Sequence, residues 1–600
     1  MGILRRLGSI VGAVGLVALP LAPVALGQQA QAQQPVTLRV AIIQQIDSLN
    51  PFMASLQSST EVGRLMYDYL TAYDVKDQRP VEAIAKSWEQ AADNLTWTFT
   101  VPDGKKWSDS KPITSKDVAF TYNLMLGNEA ARTANGSFVA NFESVTAPDE
   151  RTVVIKTKVP QATMLALDIP IVPEHVWSGV TNVGDYPNDQ VPSVGSGPFV
   201  LSEHRANEFI KFKANKNYWR GAPKYDELHF VYYKSVDAAV QALDRGEVDL
   251  VNRMGPAQFD SLKNKADIAL NKAQGRRFNE IVLNPGAATR TGEAIGDGHP
   301  ALRDVRVRRA IAKAVDLDAI INRVNGGYAE RGTGPIPPVF PDFHFTPAQV
   351  RPFDQAAANT ELDQAGYPKG ADGLRVGPDG RKLQLRLLGH SSRAYDAQAG
   401  EYVKRNLADV GIGVDVQIVS DNLLNQQSNA GTFDMVFSGW GTNPDPDFIL
   451  SLHTCAGRPN AAGEGGTTDT FFCDSVYDGL YARQAAEFDR GKRADLVKQM
   501  QQRFYDEVPS IVLGYDNALE AYRKDKFASF PVQPDPGGVI MAQNGVWGYY
   551  GAVPASASAS SASSGPSGLL IGVGVAVVIV VAAGVVLLVR RRAVTAGERE

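Results

Sequence analysis

Tryptophan, amide and carboxylate side chains crowd into one short stretch, Phe437-Ser438-Gly439-Trp440-Gly441-Thr442-Asn443-Pro444-Asp445-Pro446-Asp447. An indole offers a flat apolar face that can stack on a ligand. Exposed backbone at a glycine and proline turn, together with an amide and carboxylates, can orient a polar or cationic group. A core tryptophan followed by an ordinary surface turn would leave the same pattern. Asn443, Asp445 and Asp447 alternate like the start of a calcium loop. Position six of that loop would be Phe448, where glycine is needed, and position twelve Thr454, where a bidentate glutamate is needed. No metal is expected there. Gly195-Ser196-Gly197-Pro198-Phe199 is a second glycine-rich turn, which could equally be a tight hinge.

Catalytic patterns are absent. The seven histidines are His175, His204, His229, His299, His344, His390 and His453, and no two stand at metal-ligand spacing. The body of the chain has no nucleophile elbow, phosphate loop or dinucleotide fingerprint. The expectation is a binding protein without catalytic residues, cofactor or metal. With 60 basic and 65 acidic residues well mixed, no basic stripe points to nucleic acid.

Strand-like and helix-like segments alternate through the body, which predicts a mixed α/β fold. Alternating or β-branched runs predict strands at 37–43, 95–101, 152–156, 413–419 and 433–438. Thr114 and Asp117 form a capping box, and the helix it opens carries Val118, Tyr122 and Met125 at helical spacing. Further helices are predicted at 302–315, 401–410 and 495–506. Arg303, Arg306, Arg309 and Lys313 lie off the apolar stripe of the first of these and predict a solvated face.

The chain ends predict export and anchoring. Arg5 and Arg6, an apolar run and Ala30-Gln31-Ala32 have the layout of a cleaved secretory signal over 1–32, with Ala25-Leu26-Gly27 as an alternative cleavage point. No cysteine near that point could carry a lipid. The 21 residues 569–589 are apolar or glycine and are followed by Arg590, Arg591 and Arg592. A helix of about 20 residues crosses the hydrocarbon core, and flanking arginines stay on the cytoplasmic side. The body is therefore expected outside the cell, the 590–600 tail inside, and the Ser/Ala-rich stretch 554–568 as a flexible stalk. Cys455 and Cys473 are the only cysteines. In an exported chain such a pair reads as one disulfide, the alternative being two buried free thiols.

Several segments, in order, resemble the extracellular solute-binding protein family 5, which contains peptide-type receptors of ABC importers. They include Asp47-Ser48-Leu49-Asn50-Pro51, Trp97-Thr98-Phe99 through Trp107-Ser108-Asp109, and Gly195-Ser196-Gly197-Pro198-Phe199. Asn217-Tyr218-Trp219-Arg220-Gly221, Gly246-Glu247-Val248-Asp249 and the Trp440 loop follow. The resemblance implies a two-lobed flytrap with an extra inserted domain. Domain I would comprise 36–65 with 195–299 and 510–550, domain II 66–194, and domain III 300–509. Ligand would sit between the lobes, touching Asn50, Ser196, Gly197, Trp440, Gly441, Thr442, Asn443 and Asp445. Cys455 and Cys473 sit where peptide-binding members carry a disulfide. In those receptors an aspartate three residues after the loop tryptophan pairs with the peptide's α-amino group. Here that position is Asn443, and Asp445 is the candidate substitute.

The resemblance implies a monomeric subunit that captures a small solute, foremost a peptide, and delivers it to an ABC permease and its ATPase. The other readings are a receptor of the same fold for a nickel chelate, oligosaccharide or opine, and a membrane-anchored ligand sensor.

Overall fold

The computed structural model describes residues 34–460 and 468–555. The expected signal segment, the membrane span at 569–589, the 590–600 tail and nearly all of the stalk lie outside those residues. Among the described residues no helix is long and apolar enough to cross a membrane.

Two large sheets organise the body. The first has seven strands in the order 268–273, 518–523, 250–251, 37–42, 227–232, 209–214 and 199–205. Its middle strand, Thr37–Ile42, runs parallel to Glu227–Tyr232 and to Leu250–Val251. Leu38 and Val40 point into a core that also takes Phe99, Val153 and Ile155 from a separate four-stranded sheet over residues 87–157. These two sheets therefore share one apolar cluster and form one lobe.

The second large sheet has six strands, in the order 329–331, 510–516, 278–283, 435–438, 384–390 and 413–419. Its own cluster joins Ile281, Leu385, Leu387 and Phe437 to Val307, Ile311, Val403 and Leu407 on two helices. The chain passes between the lobes twice. It leaves Ile268–Ala273 for Phe278–Leu283 and returns from Ser510–Asp516 to Ala518–Arg523. The passages lie side by side, with Ala273 paired to Ala518 and Phe278 to Tyr515. A Cβ on Gly275 would lie 1.7 Å from the Asp516 carbonyl oxygen, so only glycine lets them approach this closely. Two adjacent strands are a natural hinge.

The Thr114 capping box forms, and Val118, Tyr122 and Met125 are buried. Other predicted boundaries move for local reasons. The helix expected at 302–315 spans Val305–Ala314, because Asp304 caps it and Pro300–Arg303 forms a separate 3-10 turn. The helix expected at 401–410 starts earlier, at Ala394, and the late helix spans Arg490–Glu507, capped by Asp489. The arginine-rich face is not simply solvated. Arg309 donates to the Asp506 carbonyl at 2.7 Å, and the buried Arg308 donates to the carbonyls of Leu302, Arg303, Glu507 and Val508. Both bind this helix to the end of Arg490–Glu507.

Candidate ligand-binding site

A cavity of about 500 Å³ opens between the lobes. Arg64, Tyr73, Phe138, Val159, Leu165 and Asp168 line one side, and Asn443, Asp445, Asp447, Phe448 and Tyr481 the other. The first set stands on the helix Gln57–Met66, the strand Thr71–Tyr73 and two 3-10 turns, Gly136–Val139 and Ala162–Ala166, with their flanks. The second set stands on the loop after Met435–Ser438 and on the helices Asp447–Ser451 and Ser475–Ala485.

Charges at the site are mostly paired. Arg64 bonds Asp168 and stacks its guanidinium 3.9 Å from the Tyr69 ring centre. Asp445 takes a bidentate pair from Arg493, at 2.6 and 2.8 Å. Burial pushes the Asp445 carboxyl up, and Arg493 more than reverses this, so its pKa ends below the ordinary value. Asp447 has no such cation among the described residues. Gln484 Nε2 donates to it at 2.7 Å and the Tyr481 hydroxyl at 3.3 Å. Burial first, then the neighbouring Asp445 charge, raise the Asp447 pKa. The Tyr73 hydroxyl and the Asn443 amide bond no described residue and remain available to a ligand.

Asn443 and Asp445, among the residues singled out in the sequence, line the cavity; the other six do not. Asn50 is buried, its Nδ2 donating to the carbonyls of Val183 and Tyr186 and its Oδ1 accepting from the Phe52 amide. Ser196 Oγ accepts from the Asp68 amide at 2.7 Å. Gly197 donates to the Met66 carbonyl, and a Cβ there would lie 2.4 Å from the Leu65 oxygen. This turn fastens itself to the end of the Gln57–Met66 helix. The Trp440 indole donates to Asp469 at 2.7 Å and packs edge-on against Phe448. Gly441 is exposed and bridges to Arg277, while Thr442 is buried and donates to the Pro335 carbonyl at 3.0 Å.

Sequence reasoning missed Tyr73, Val159, Asp168 and Phe448. Phe448 was visible only as the residue that spoils a calcium loop. The 159–168 segment carries no motif, because its contribution is a wall shape. Cys455 and Cys473 are joined in a disulfide. Among the described residues no cluster of histidine, cysteine or acidic side chains could hold a metal ion.

Two lobes hinged on paired strands around a solute-sized cavity define a bilobal solute receptor. The chain belongs to the bacterial extracellular solute-binding proteins, family 5, whose model matches residues 79–460. Di/tripeptide-binding protein 2 of Pseudomonas aeruginosa strain UCBPP-PA14 is 26% identical over 484 residues, covering 77% of this chain and 86% of that protein. The oligopeptide-binding protein AppA from Bacillus subtilis, solved with a nonapeptide, matches with a TM-score of 0.67 at 22% identity, covering 84% of this chain and 97% of its own. NikZ from Campylobacter jejuni, solved with Ni(L-His), matches with a TM-score of 0.71 at 20% identity, covering 86% and 99%. These structures share the fold and differ in ligand.

Proposed function

We propose that this chain captures peptides or peptide-like solutes in the inter-lobe cavity and delivers them to the permease of an ABC importer. The observation that carries the reading is the cavity itself. It combines an apolar wall with hydrogen-bonding groups, Tyr73 and Asn443, that line it from opposite lobes and bond no described residue. A peptide supplies both backbone polar groups and apolar side chains. The di- and tripeptide-binding name of the Pseudomonas relative supports the choice of ligand. The test is calorimetry and thermal shift of the purified chain against di- to hexapeptides. A ligand at 100 times its Kd stabilises by about 2.7 kcal/mol, well within reach of a melting assay. Stabilisation by a nickel chelate or a sugar, with none from any peptide, sinks the peptide assignment.

The same proposal places the receptor on the outer face of the cell membrane. Residues 1–32 act as a cleaved export signal, 554–568 as a stalk and 569–589 as the span, with Arg590–Arg592 inside. Removal of 569–600 is expected to release the protein from membrane fractions into the medium. Retention of the truncated chain in the membrane would refute the anchor.

A further inference from the structure

The cavity wall has an apolar side that no described residue covers. Among the described residues Val159 is 59% exposed and Phe448 41% exposed, and both line this cavity. They come from opposite lobes. Phe138 and Leu165, each half-buried, extend the Val159 side. Behind Phe448 stands Trp440, ring centres 6.0 Å apart at 66°. The indole is itself fixed by Asp469, which also accepts from Ser438 Oγ at 2.5 Å. An exposed phenylalanine on a braced support and an exposed valine on the other lobe, both lining one cavity, gain by burying their surface against a third apolar group.

We infer that Phe448 and Val159, with Phe138 and Leu165, form a clamp for an apolar side chain of the ligand, and that Trp440 positions the Phe448 ring. This rests on the peptide reading of the cavity and adds a preference to it. The occupant follows from the layout. Tyr73 and Asn443 offer hydrogen bonds suited to a peptide backbone, which leaves the apolar wall to a side chain. Because the two faces belong to different lobes, a side chain between them is fully buried only when the lobes are together. A leucine or phenylalanine would then favour the closed state through its differential contacts, which serine cannot provide.

Calorimetry on the full chain decides this, using two tripeptide sets built on alanine. One carries leucine or phenylalanine at each position in turn, the other serine. The tightest apolar peptide is expected to bind at least about tenfold better than the tightest serine peptide. Phe448→Ser and Val159→Ser should each shrink that ratio while the melting temperature of the free protein stays close to that of the parent. Trp440→Phe, which keeps a ring but loses the Asp469 bond, should reduce the ratio in part and Trp440→Ala more fully, an effect on selectivity that a purely structural role would not produce. Equal affinity for the two sets, or an unchanged ratio in Phe448→Ser, overturns the clamp. Binding of neither set overturns the peptide reading itself, and this assignment of the occupant falls with it.

Discussion

Glu280 lies on the interior strand Phe278–Leu283 with 1% of its surface exposed. Burial pushes its carboxyl up to about 8, against an ordinary value of 4.5, despite a hydrogen bond from Ser510. Between those values the folded chain holds a proton that the unfolded chain has shed. Stability should therefore fall as pH rises from 4.5 to about 8 and level off above it. Glu280→Gln keeps a group able to accept the Ser510 hydroxyl and has no charge to bury. Urea midpoints measured across this range are expected to lose the Glu280 part of the slope, and the variant should be the more stable protein at the alkaline end. An unchanged slope would show that Glu280 ionises freely. Asp445 behaves in the opposite way, since Arg493 holds it charged. Asp445→Asn leaves the Arg493 guanidinium, 7% exposed, without its partner. A loss of about 3 kcal/mol is expected in denaturant unfolding. Little of this was legible in the sequence. Asp445 could be marked as a candidate because it sits beside a tryptophan and prolines. Arg493 is 48 residues further along, and nothing local announces the pairing. Glu280 sits in a run otherwise suited to a buried strand, and its proton depends on the two strands packed beside it.

At the scale of elements, legibility tracks locality. The Thr114 capping box and the Gly413–Val419 strand follow from side chains within a few residues, and both form as expected. The Arg490–Glu507 helix extends further than its apolar pattern because Asp489 caps it upstream. The glycine turn at 195–199 was visible, but its use was not, since its partner is the helix end at Leu65 and Met66. Cys455–Cys473 is an element whose energetic share can be measured. It closes a loop of sequence separation 18. The chain-entropy model assigns such a loop about 3 kcal/mol. Cys473→Ser is expected to lower unfolding free energy by about that amount. Peptide selectivity should also change, because Asp469 inside the loop holds Trp440. Full stability without the bond would mean that packing alone fixes this segment.

For the molecule as a whole, binding depends on what holds the lobes together. Among the described residues, several contacts cross between them away from the cavity floor. Gln78 Nε2 donates to the Val339 carbonyl at 3.2 Å. Phe488 packs on Trp97 with ring centres 6.1 Å apart. Tyr328 packs edge-on against Phe259 and donates to Asp260 at 2.5 Å. Phe488 is half-buried, lies just before the Asp489 cap and packs on the edge of the first lobe's core without being enclosed in it. Aromatic pairs contribute about 0.5–1.5 kcal/mol beyond area burial. If this contact exists only when the lobes meet, that energy belongs to the closed state and not to folding. Phe488→Ala is then expected to speed ligand dissociation by about two- to tenfold, with association little changed. The melting temperature of the free protein should move far less than the dissociation rate does. Stopped-flow displacement of a bound peptide reads the rate, and a melting curve without peptide reads the fold. A large drop in melting temperature with an unchanged dissociation rate would place Phe488 in the fold and remove it from closure.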